Sequence, residues 1–171
     1  MKKHTIILYC FLAVFLALLG ASVFLMKKKR DFRRSIAVMP EFCLPQARDS
    51  ILFCSEQFEK GKPIVVMYFH PECDFCHAKA KQLQQGKGKV AEIKWVLVSY
   101  AERDSVKKFM ETYGLADISN IVVLVDSQLY LYDRLHVEKI PTYFIYNRDH
   151  HLVPVKRGDS KLETIIRLAN Q

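Results

Sequence analysis

The sequence predicts an α/β sandwich preceded by one membrane-spanning helix. Three observations predict this class: an uncharged apolar run near the N-terminus, a strand pattern that is apolar at every position, and strand and helix patterns that alternate along the rest of the chain. Such alternation is typical of a sheet with helices packed on its faces. With 171 residues, the chain has room for one core of ordinary size.

The first observation is the run from Thr5 to Met26, which holds 22 residues without a charge. At a rise of about 1.5 Å per residue, a helix of this length crosses a hydrocarbon layer of about 30 Å. A secretory signal peptide is the alternative, but its apolar part is usually about 7–15 residues long. We therefore expect a membrane anchor in residues 1–26 and a basic linker at the lipid headgroups in residues 27–38.

Basic residues are concentrated around this run. Residues 1–34 carry eight of the 26 Lys and Arg residues and one of the 18 Asp and Glu residues, which leaves 18 against 17 for the rest. Because the rest is nearly neutral, we expect no nucleic-acid partner.

The heavier basic cluster follows the run, and the positive-inside tendency would place the domain in the cytoplasm. The cysteine chemistry below is more useful on the oxidising side. Both orientations stay open, and we favour a single-pass protein of the inner membrane whose domain faces the periplasm.

We expect the folded domain to span residues 39–171. Two short apolar runs, EFCL and SILF, predict an irregular hairpin around PQARD, and SEQFEKGKP predicts a turn. Ile64–Phe69 is apolar throughout, which is typical of a central strand covered on both faces. Asp74–Gln85 is free of helix breakers and predicts a helix. Its candidate inner positions are Phe75, Ala78, Gln82 and Leu83.

The alternation continues beyond this helix. EIKWVLVSY predicts a strand, and DSVKKFMETYGL predicts a helix because apolar residues recur at helical spacing from Val106 to Tyr113. Asp104 or Ser105 would cap its start, and Gly114 stands where a C-terminal glycine belongs.

The last third of the chain completes the sandwich. NIVVLVD predicts a strand and SQLYLYDRLHV a helical segment. KIPTYFIYNRDHHLVPVKR predicts two strands joined by a polar turn at Asn147–His151. DSKLETIIRLANQ predicts an amphipathic helix capped by Asp159 or Ser160.

Two cysteines follow the buried strand in IVVMYFHPECDFCH. Cys73 stands at the first turn of the predicted helix, where unpaired N–H groups and the helix dipole favour a thiolate. Cys76 lies on the same face one turn later, within reach of a disulfide with Cys73. This arrangement predicts an exchange pair in which Cys73 attacks a partner and Cys76 resolves the mixed disulfide.

Other uses of the cysteines fit the sequence less well than exchange does. A structural disulfide between Cys73 and Cys76 would close a loop too small to restrain the chain much. Zinc would need two more ligands, and the ten residues between Cys43 and Cys54 do not resemble a zinc knuckle. We therefore expect neither metal nor cofactor. Cys43 and Cys54 form either a hairpin disulfide or a pair of buried thiols.

The segment KPIVVMYFHPECDFCHAKA resembles the strand, CxxC motif and helix of the thioredoxin superfamily, and KIPTYFIYN resembles that family's cis-proline and following strand. The intervening segments are similar to the extra strand and helix of the membrane-anchored TlpA-like or ResA-like thiol-disulfide oxidoreductases of bacterial envelopes. The resemblance covers Met39 to Gln171 and implies a thioredoxin-like three-layer sandwich with a central mixed sheet. It also implies protein thiols or disulfides as partners and an upstream electron donor. Pro141 would be cis and face the cysteine pair, and Ile140 would offer its backbone to an extended substrate chain.

Departures from the family pattern concern the surroundings of the first cysteine. Two carboxylates beside it, Glu72 and Asp74, oppose formation of its thiolate, which favours a reductant or a slow exchanger. Met67 stands where many relatives have a buried aspartate that accepts a proton. Glu72, His70 or His77 are the candidate replacements for proton transfer, with a surface or structural role as the alternative for each histidine.

Two further functions remain as alternatives to exchange. Some thioredoxin-fold copper chaperones resemble this layout, and Cys73, Cys76 and His136 would then hold the copper. The cysteines of those chaperones are usually separated by three residues, whereas Cys73 and Cys76 are separated by two. The other function is that of a non-catalytic adaptor that keeps the fold without the exchange reaction.

Overall fold

A long helix precedes an α/β unit in the computed structural model, which describes residues 2–88, 90–155 and 161–170. The chain divides into two compact units, Met1–Ser35 and Ile36–Gln171. The first contains helix α1 (Lys2–Ser35). Within α1, Phe11–Phe32 is long and apolar enough to cross a membrane. The helix continues through the basic segment because lysine and arginine are good helix formers and neither glycine nor proline interrupts them.

The second unit holds a five-stranded mixed sheet and a separate two-stranded hairpin. Its elements in chain order are β1 (Cys43–Pro45), β2 (Leu52–Cys54), β3 (Ile64–Tyr68), α2 (Asp74–Gln85), β4 (Lys94–Ser99), α3 (Arg103–Thr112), β5 (Ile121–Val125), α4 (Tyr130–Arg134), β6 (Thr142–Tyr146), β7 (Leu152–Val153) and α5 (Leu162–Ala169). The sheet order is β5-β4-β3-β6-β7. Strands β3, β4 and β5 are parallel, and β6 and β7 continue the sheet in antiparallel pairing.

Strand β3 lies in the middle of the sheet, and each of its five residues is buried. Met67 points to the face where α2, α3 and α5 pack, since residues of these helices share its core cluster. Tyr68 points to the other face and packs against Tyr132 of α4, with ring centroids 5.7 Å apart. The result is the three-layer sandwich with a central mixed sheet that the sequence predicts.

Helix α2 has the predicted bounds, but three of its four predicted inner positions are wrong. Phe75 is 76% exposed, Ala78 and Gln82 are also exposed, and only Leu83 is buried. The buried stripe follows helical spacing one position along the chain. It consists of Cys76, Lys79, Ala80 and Leu83. The apolar pattern of the sequence does not indicate this stripe, because it includes a lysine.

Helix starts also differ from their predictions. Glu102 caps α3, and its carbonyl accepts the first helical hydrogen bond, from Val106 N–H at 3.1 Å, so Asp104 and Ser105 lie inside the helix. Helix α4 is shorter than predicted. The buried Asp126 carboxylate accepts the N–H groups at its start, which fixes where it begins. Gly114 adopts the left-handed conformation with φ 56°, as predicted for a helix end. The predicted caps of α5, Asp159 and Ser160, lie outside the described residues.

Candidate active site

Cys73 lies where the loop after β3 turns into α2. It is the residue that caps the helix, with an extended backbone (φ −94°, ψ 114°), and its carbonyl accepts hydrogen bonds from Cys76 N–H at 2.8 Å and His77 N–H at 3.0 Å. Its side chain is a free thiol that is partly exposed. The sulfur therefore stands at the positive end of the helix dipole and within reach of solvent.

Cys76 lies one turn deeper in the same helix and is fully buried as a free thiol. Burial raises the pKa of the Cys76 thiol to about 12, and a hydrogen bond to Cys73 acts in the same direction. A hydrogen bond with the backbone of His70 acts in the opposite direction. The two cysteines are thus adjacent, but one is accessible and the other is protected.

The loop before β6 brings a backbone carbonyl to the exposed cysteine. The Ile140–Pro141 peptide bond is cis. The Sγ of Cys73 lies 4.0 Å from the carbonyl oxygen of Ile140. The structure therefore brings together four of the predicted site residues: Cys73, Cys76, Ile140 and Pro141.

The three predicted proton-transfer residues lie on the outer side of the pair. His70 accepts a hydrogen bond from the Glu72 N–H at its Nδ1, at 3.3 Å, and its ring packs against Tyr100, with centroids 5.3 Å apart. His77 Nδ1 lies 2.8 Å from the Tyr113 hydroxyl. Glu72, His70 and His77 all line a groove of about 660 Å³ between the active-site loop and α3. Cys76 is not among the residues that line this groove, because it points into the core.

Sequence reasoning missed two polar residues on the inner side of the pair. Tyr143 is on β6, two residues after Pro141, and pairs with Met67 of β3. Lys79 is 7% exposed, and its Nζ lies 5.8 Å from the centre of the Tyr143 ring. The available signal was the spacing of Lys79, which places it one turn after Cys76 on the same helix face.

The other two cysteines outside α1 form a disulfide. Cys43 and Cys54 face each other in the register of the β1–β2 hairpin, with Cα atoms 4.0 Å apart. This settles the alternative that the sequence left open and removes both as zinc ligands. Among the described residues no group of three His, Cys, Asp or Glu side chains is placed to hold a metal ion, so His136 does not join the cysteine pair.

Family comparison decides where the chain belongs. A model of the AhpC/TSA family matches residues 37–155, which is more than half of the 171 residues. The chain belongs to the AhpC/TSA family. No curated protein matches the sequence of this family member.

Solved structures share the fold of this AhpC/TSA member at low sequence identity. A secreted disulfide oxidoreductase of Mycobacterium tuberculosis, described as homologous to DsbE of Escherichia coli, is 20% identical with a TM-score of 0.63, over 80% of this chain and 96% of that one. The thioredoxin domain of a thiol-disulfide oxidoreductase from Bacteroides vulgatus is 18% identical with a TM-score of 0.62, over 79% and 97%. A peroxidoxin of Mycobacterium tuberculosis is 14% identical with a TM-score of 0.65, over 77% and 93%.

These likenesses confirm the predicted thioredoxin-like fold. They do not by themselves assign a reaction, because disulfide oxidoreductases and a peroxidoxin share the fold. Together with the family match, they support the prediction of an oxidoreductase.

Proposed function

We propose that this protein is a membrane-tethered thiol-disulfide oxidoreductase that exchanges disulfides with cysteines of other proteins. The observation that carries the proposal is the placement of the pair: an accessible Cys73 at a helix start and a buried Cys76 one turn later. An attacking sulfur needs exposure and a nearby resolving sulfur needs protection from other disulfides. The structural neighbours described as disulfide oxidoreductases support the same reaction.

The reaction proceeds in two exchange steps. The thiolate of Cys73 attacks one sulfur of a partner disulfide, so that the partner's bond breaks, a mixed disulfide forms and the other partner sulfur leaves as a thiolate. The Cys76 sulfur then attacks Cys73, which releases the second partner sulfur and joins Cys73 to Cys76. The partner gains two electrons and two protons, and the chain loses them. An upstream donor that itself carries thiols must then reduce the Cys73–Cys76 disulfide before the next cycle.

The Ile140–Pro141 segment supports the binding of a partner chain. The Ile140 carbonyl is 4.0 Å from the attacking sulfur. An extended partner segment that carries the target cysteine would donate a backbone hydrogen bond to this carbonyl. The groove that contains His70, Glu72 and His77 lies beside Cys73 and would receive side chains next to that cysteine.

The buried Cys76 favours reduction of partners as the direction of electron flow. Strong oxidants among such proteins have a stabilised reduced form, because their thiolate is held at low pKa. Here burial raises the pKa of Cys76 to about 12. Cys76 therefore stays protonated at neutral pH and adds no such stabilisation to the dithiol. The two carboxylates next to Cys73 in sequence, Glu72 and Asp74, also disfavour a strong oxidant, so we favour transfer of electrons to the partner.

The N-terminal helix would tether the domain to the inner membrane, with the domain in the periplasm. Phe11–Phe32 has the length and composition for a span. The hairpin disulfide Cys43–Cys54 supports an oxidising compartment, since disulfides are rare where cytosolic reductants act. The disulfide outweighs the basic cluster after the span as an indication of orientation, because charge bias at a first span is only a tendency. A reporter fused after Gln171 that is active only in the periplasm would test the orientation.

Trapping of partners tests the exchange reaction. In the full-length Cys76→Ser variant, Cys73 can attack but the mixed disulfide cannot be resolved, so covalent complexes with partner proteins should accumulate and disappear on reduction. Cys73→Ser/Cys76→Ser is the matched control and should trap nothing. If Cys76→Ser traps no partner and the wild-type protein does not reduce insulin disulfides, the enzyme proposal fails and the non-catalytic adaptor is favoured.

A further inference from the structure

Tyr143 carries a polar group on the buried side of Cys76, and this group has no role in the exchange steps described above. Tyr143 pairs with Met67 in the register of β3 and β6, so both side chains point to the face on which α2 packs. Cys76 and Met67 belong to one buried cluster, and Tyr143 packs against it. Burial raises the pKa of the Tyr143 hydroxyl, and charge on Cys76 and then Cys73 adds to the shift.

The Tyr143 hydroxyl is buried and has no hydrogen-bond partner among the described residues. Buried hydroxyls without a partner are rare in folded proteins, and each one calls for a reason. A tyrosine hydroxyl at neutral pH is a donor. A neighbouring thiol is a weak acceptor, whereas a thiolate is a strong one. Formation of a thiolate at Cys76 would therefore give this hydroxyl the acceptor that it lacks.

Lys79 brings positive charge to the same place. It lies on the inward stripe of α2, one turn after Cys76, and its Nζ is 5.8 Å from the centre of the Tyr143 ring. The ammonium donates to Gln82 Oε1 at 2.8 Å. Burial lowers the pKa of Lys79, and Glu163 of α5 opposes the shift, so α5 contributes a carboxylate that helps keep the amine charged. A cation over the face of a ring that adjoins a thiolate favours the charged sulfur.

We propose that Tyr143 and Lys79 stabilise the thiolate of Cys76 during resolution of the mixed disulfide, with the Tyr143 hydroxyl donating a hydrogen bond to that sulfur. This inference rests on the proposed exchange function. In the step, the Cys76 sulfur forms a bond with Cys73, the bond between Cys73 and the partner sulfur breaks, and the partner leaves as a thiolate. In sum the Cys76 proton passes to the partner sulfur, and Tyr143 keeps its own proton. Tyr143 and Lys79 act through Cys76 and are positioning residues.

The positions of Tyr143 and Lys79 explain how Cys76 can form a thiolate although residue 67 is a methionine and not an acid. Met67 offers no proton acceptor, and the predicted replacements His70, Glu72 and His77 lie in the outer groove. Cys73 is the titratable group that acts on the pKa of Cys76, and the pKa of Tyr143 of β6 responds to charge on Cys76. Lys79 of α2 lies by the Tyr143 ring, and Glu163 of α5 acts on Lys79.

A two-phase thiol assay with the full-length protein separates the steps. A small aromatic disulfide that releases a coloured thiolate gives one equivalent when Cys73 attacks and a second when Cys76 resolves. We expect Tyr143→Phe to slow the second phase about tenfold, which corresponds to a shift of about one pKa unit in Cys76, and to leave the first phase unchanged. The pH profile of the second phase should move to higher pH by the same amount. Lys79→Gln should slow the second phase about threefold, as expected for a charge that acts at a distance.

Tyr146→Phe is the matched control. Tyr146 is on the same strand, and its hydroxyl is also buried without a partner among the described residues. It pairs with Ile64 and so points to the other sheet face, and burial alone raises its pKa. Tyr146→Phe should leave both phases and the pH profile unchanged.

The outcomes separate this inference from the proposed function. If Tyr143→Phe shows the wild-type second phase and pH profile, the inference is wrong and the exchange function stands. If the wild-type protein shows no second phase, both fail. Thermal melting controls for folding. If Tyr143→Phe melts well below wild type, the second phase of Lys79→Gln is the deciding measurement. An unchanged second phase in Lys79→Gln overturns the inference.

Discussion

The folded unit contains two cysteine pairs, which differ in position, in bonding and in exposure. Cys43 and Cys54 come from two strands of a hairpin, face each other in register and are bonded. Cys73 and Cys76 lie on one helix turn, carry free thiols and differ from each other in exposure. Sequence spacing alone would make the second pair the easier one to join. The difference teaches that the surrounding structure decides whether a pair stabilises the fold or remains available for exchange.

The physical reason lies in what each bond would restrain. The hairpin bond closes a loop with a sequence separation of 11 and reduces the freedom of the unfolded chain. A bond between Cys73 and Cys76 would span three residues that α2 already orders, so it would add little stability and would be easily reversed. The pair in the helix therefore suits a cycle of oxidation and reduction, and the pair in the hairpin suits a permanent link.

The largest expected effect separates the pairs by reaction. Cys73→Ser should lower the rate of insulin-disulfide reduction by on the order of 10³-fold, because Cys76, the other free thiol described in the folded unit, is buried. The double variant Cys43→Ser/Cys54→Ser should keep the wild-type rate at a temperature where it is folded. Loss of reduction in the hairpin variant with a native circular dichroism spectrum would contradict the division of roles.

The next effect separates them by stability. In the double variant Cys43→Ser/Cys54→Ser, the free energy of unfolding should fall by about 3 kcal/mol, as estimated from the entropy of closing a loop of this length. Chemical denaturation of the full-length protein in a mild detergent measures it. The matching variant Cys73→Ser/Cys76→Ser, compared with oxidised wild type, should lose much less, and an equal loss would show that the helix pair is also structural.

Much of this division follows from the sequence, but the pairing of the hairpin cysteines does not. Strand β3 and helix α2 were predictable because Ile64–Tyr68 is uniformly apolar and Asp74–Gln85 has helical propensity without breakers. The partnership of Cys43 with Cys54 depends on the register of two three-residue strands, and apolar pattern does not fix register in strands this short.

The inner half of the site could not be predicted for a related reason. Which stripe of α2 faces the sheet depends on how the helix is rotated, and Phe75 was the more apolar choice by composition. The structure turns Cys76 and Lys79 inward instead, because a lysine can bury its methylene chain along the core. Tyr143 reaches this place through the pairing of β6 with β3, which is a contact between residues far apart in the chain.

A third test uses the protons that only the helix pair can lose. Burial raises the pKa of Cys76 to about 12, whereas a thiol in an unfolded chain has a pKa of about 8.5. Because the pKa of Cys76 is higher in the folded state, its contribution to the free energy of unfolding is complete below about pH 8.5. This contribution is lost as the pH rises towards about 12. Between pH 8.5 and pH 10 the free energy of unfolding of the reduced wild-type protein should fall by about 1–2 kcal/mol relative to that of reduced Cys76→Ala.

Denaturation midpoints of reduced wild type and reduced Cys76→Ala, measured at each pH, give this difference. In both proteins the hairpin disulfide must be intact, which thiol counting under denaturing conditions verifies. A difference that stays constant with pH, or grows in favour of wild type, would mean that Cys76 titrates like an exposed thiol and that the contrast in protection between the cysteines is absent.

The smallest expected effect concerns the surfaces around the two pairs. Phe75 lies between the exchange cysteines in sequence and is 76% exposed, which makes it available to a partner that approaches Cys73. Removal of one aromatic contact of this kind costs roughly 1 kcal/mol, so Phe75→Ser should raise KM for a protein substrate about fivefold. Exchange with oxidised glutathione should not change, since that small disulfide covers little surface.

Leu52→Ser is the matched control, because Leu52 is a large apolar residue of the hairpin that is 58% exposed. If partners dock around Cys73, this variant should have the KM of wild type. An equal rise of KM in both variants would extend the docking surface to the hairpin. Its disulfide would then shape substrate binding as well as stability, and the separation of roles between the two pairs would be incomplete.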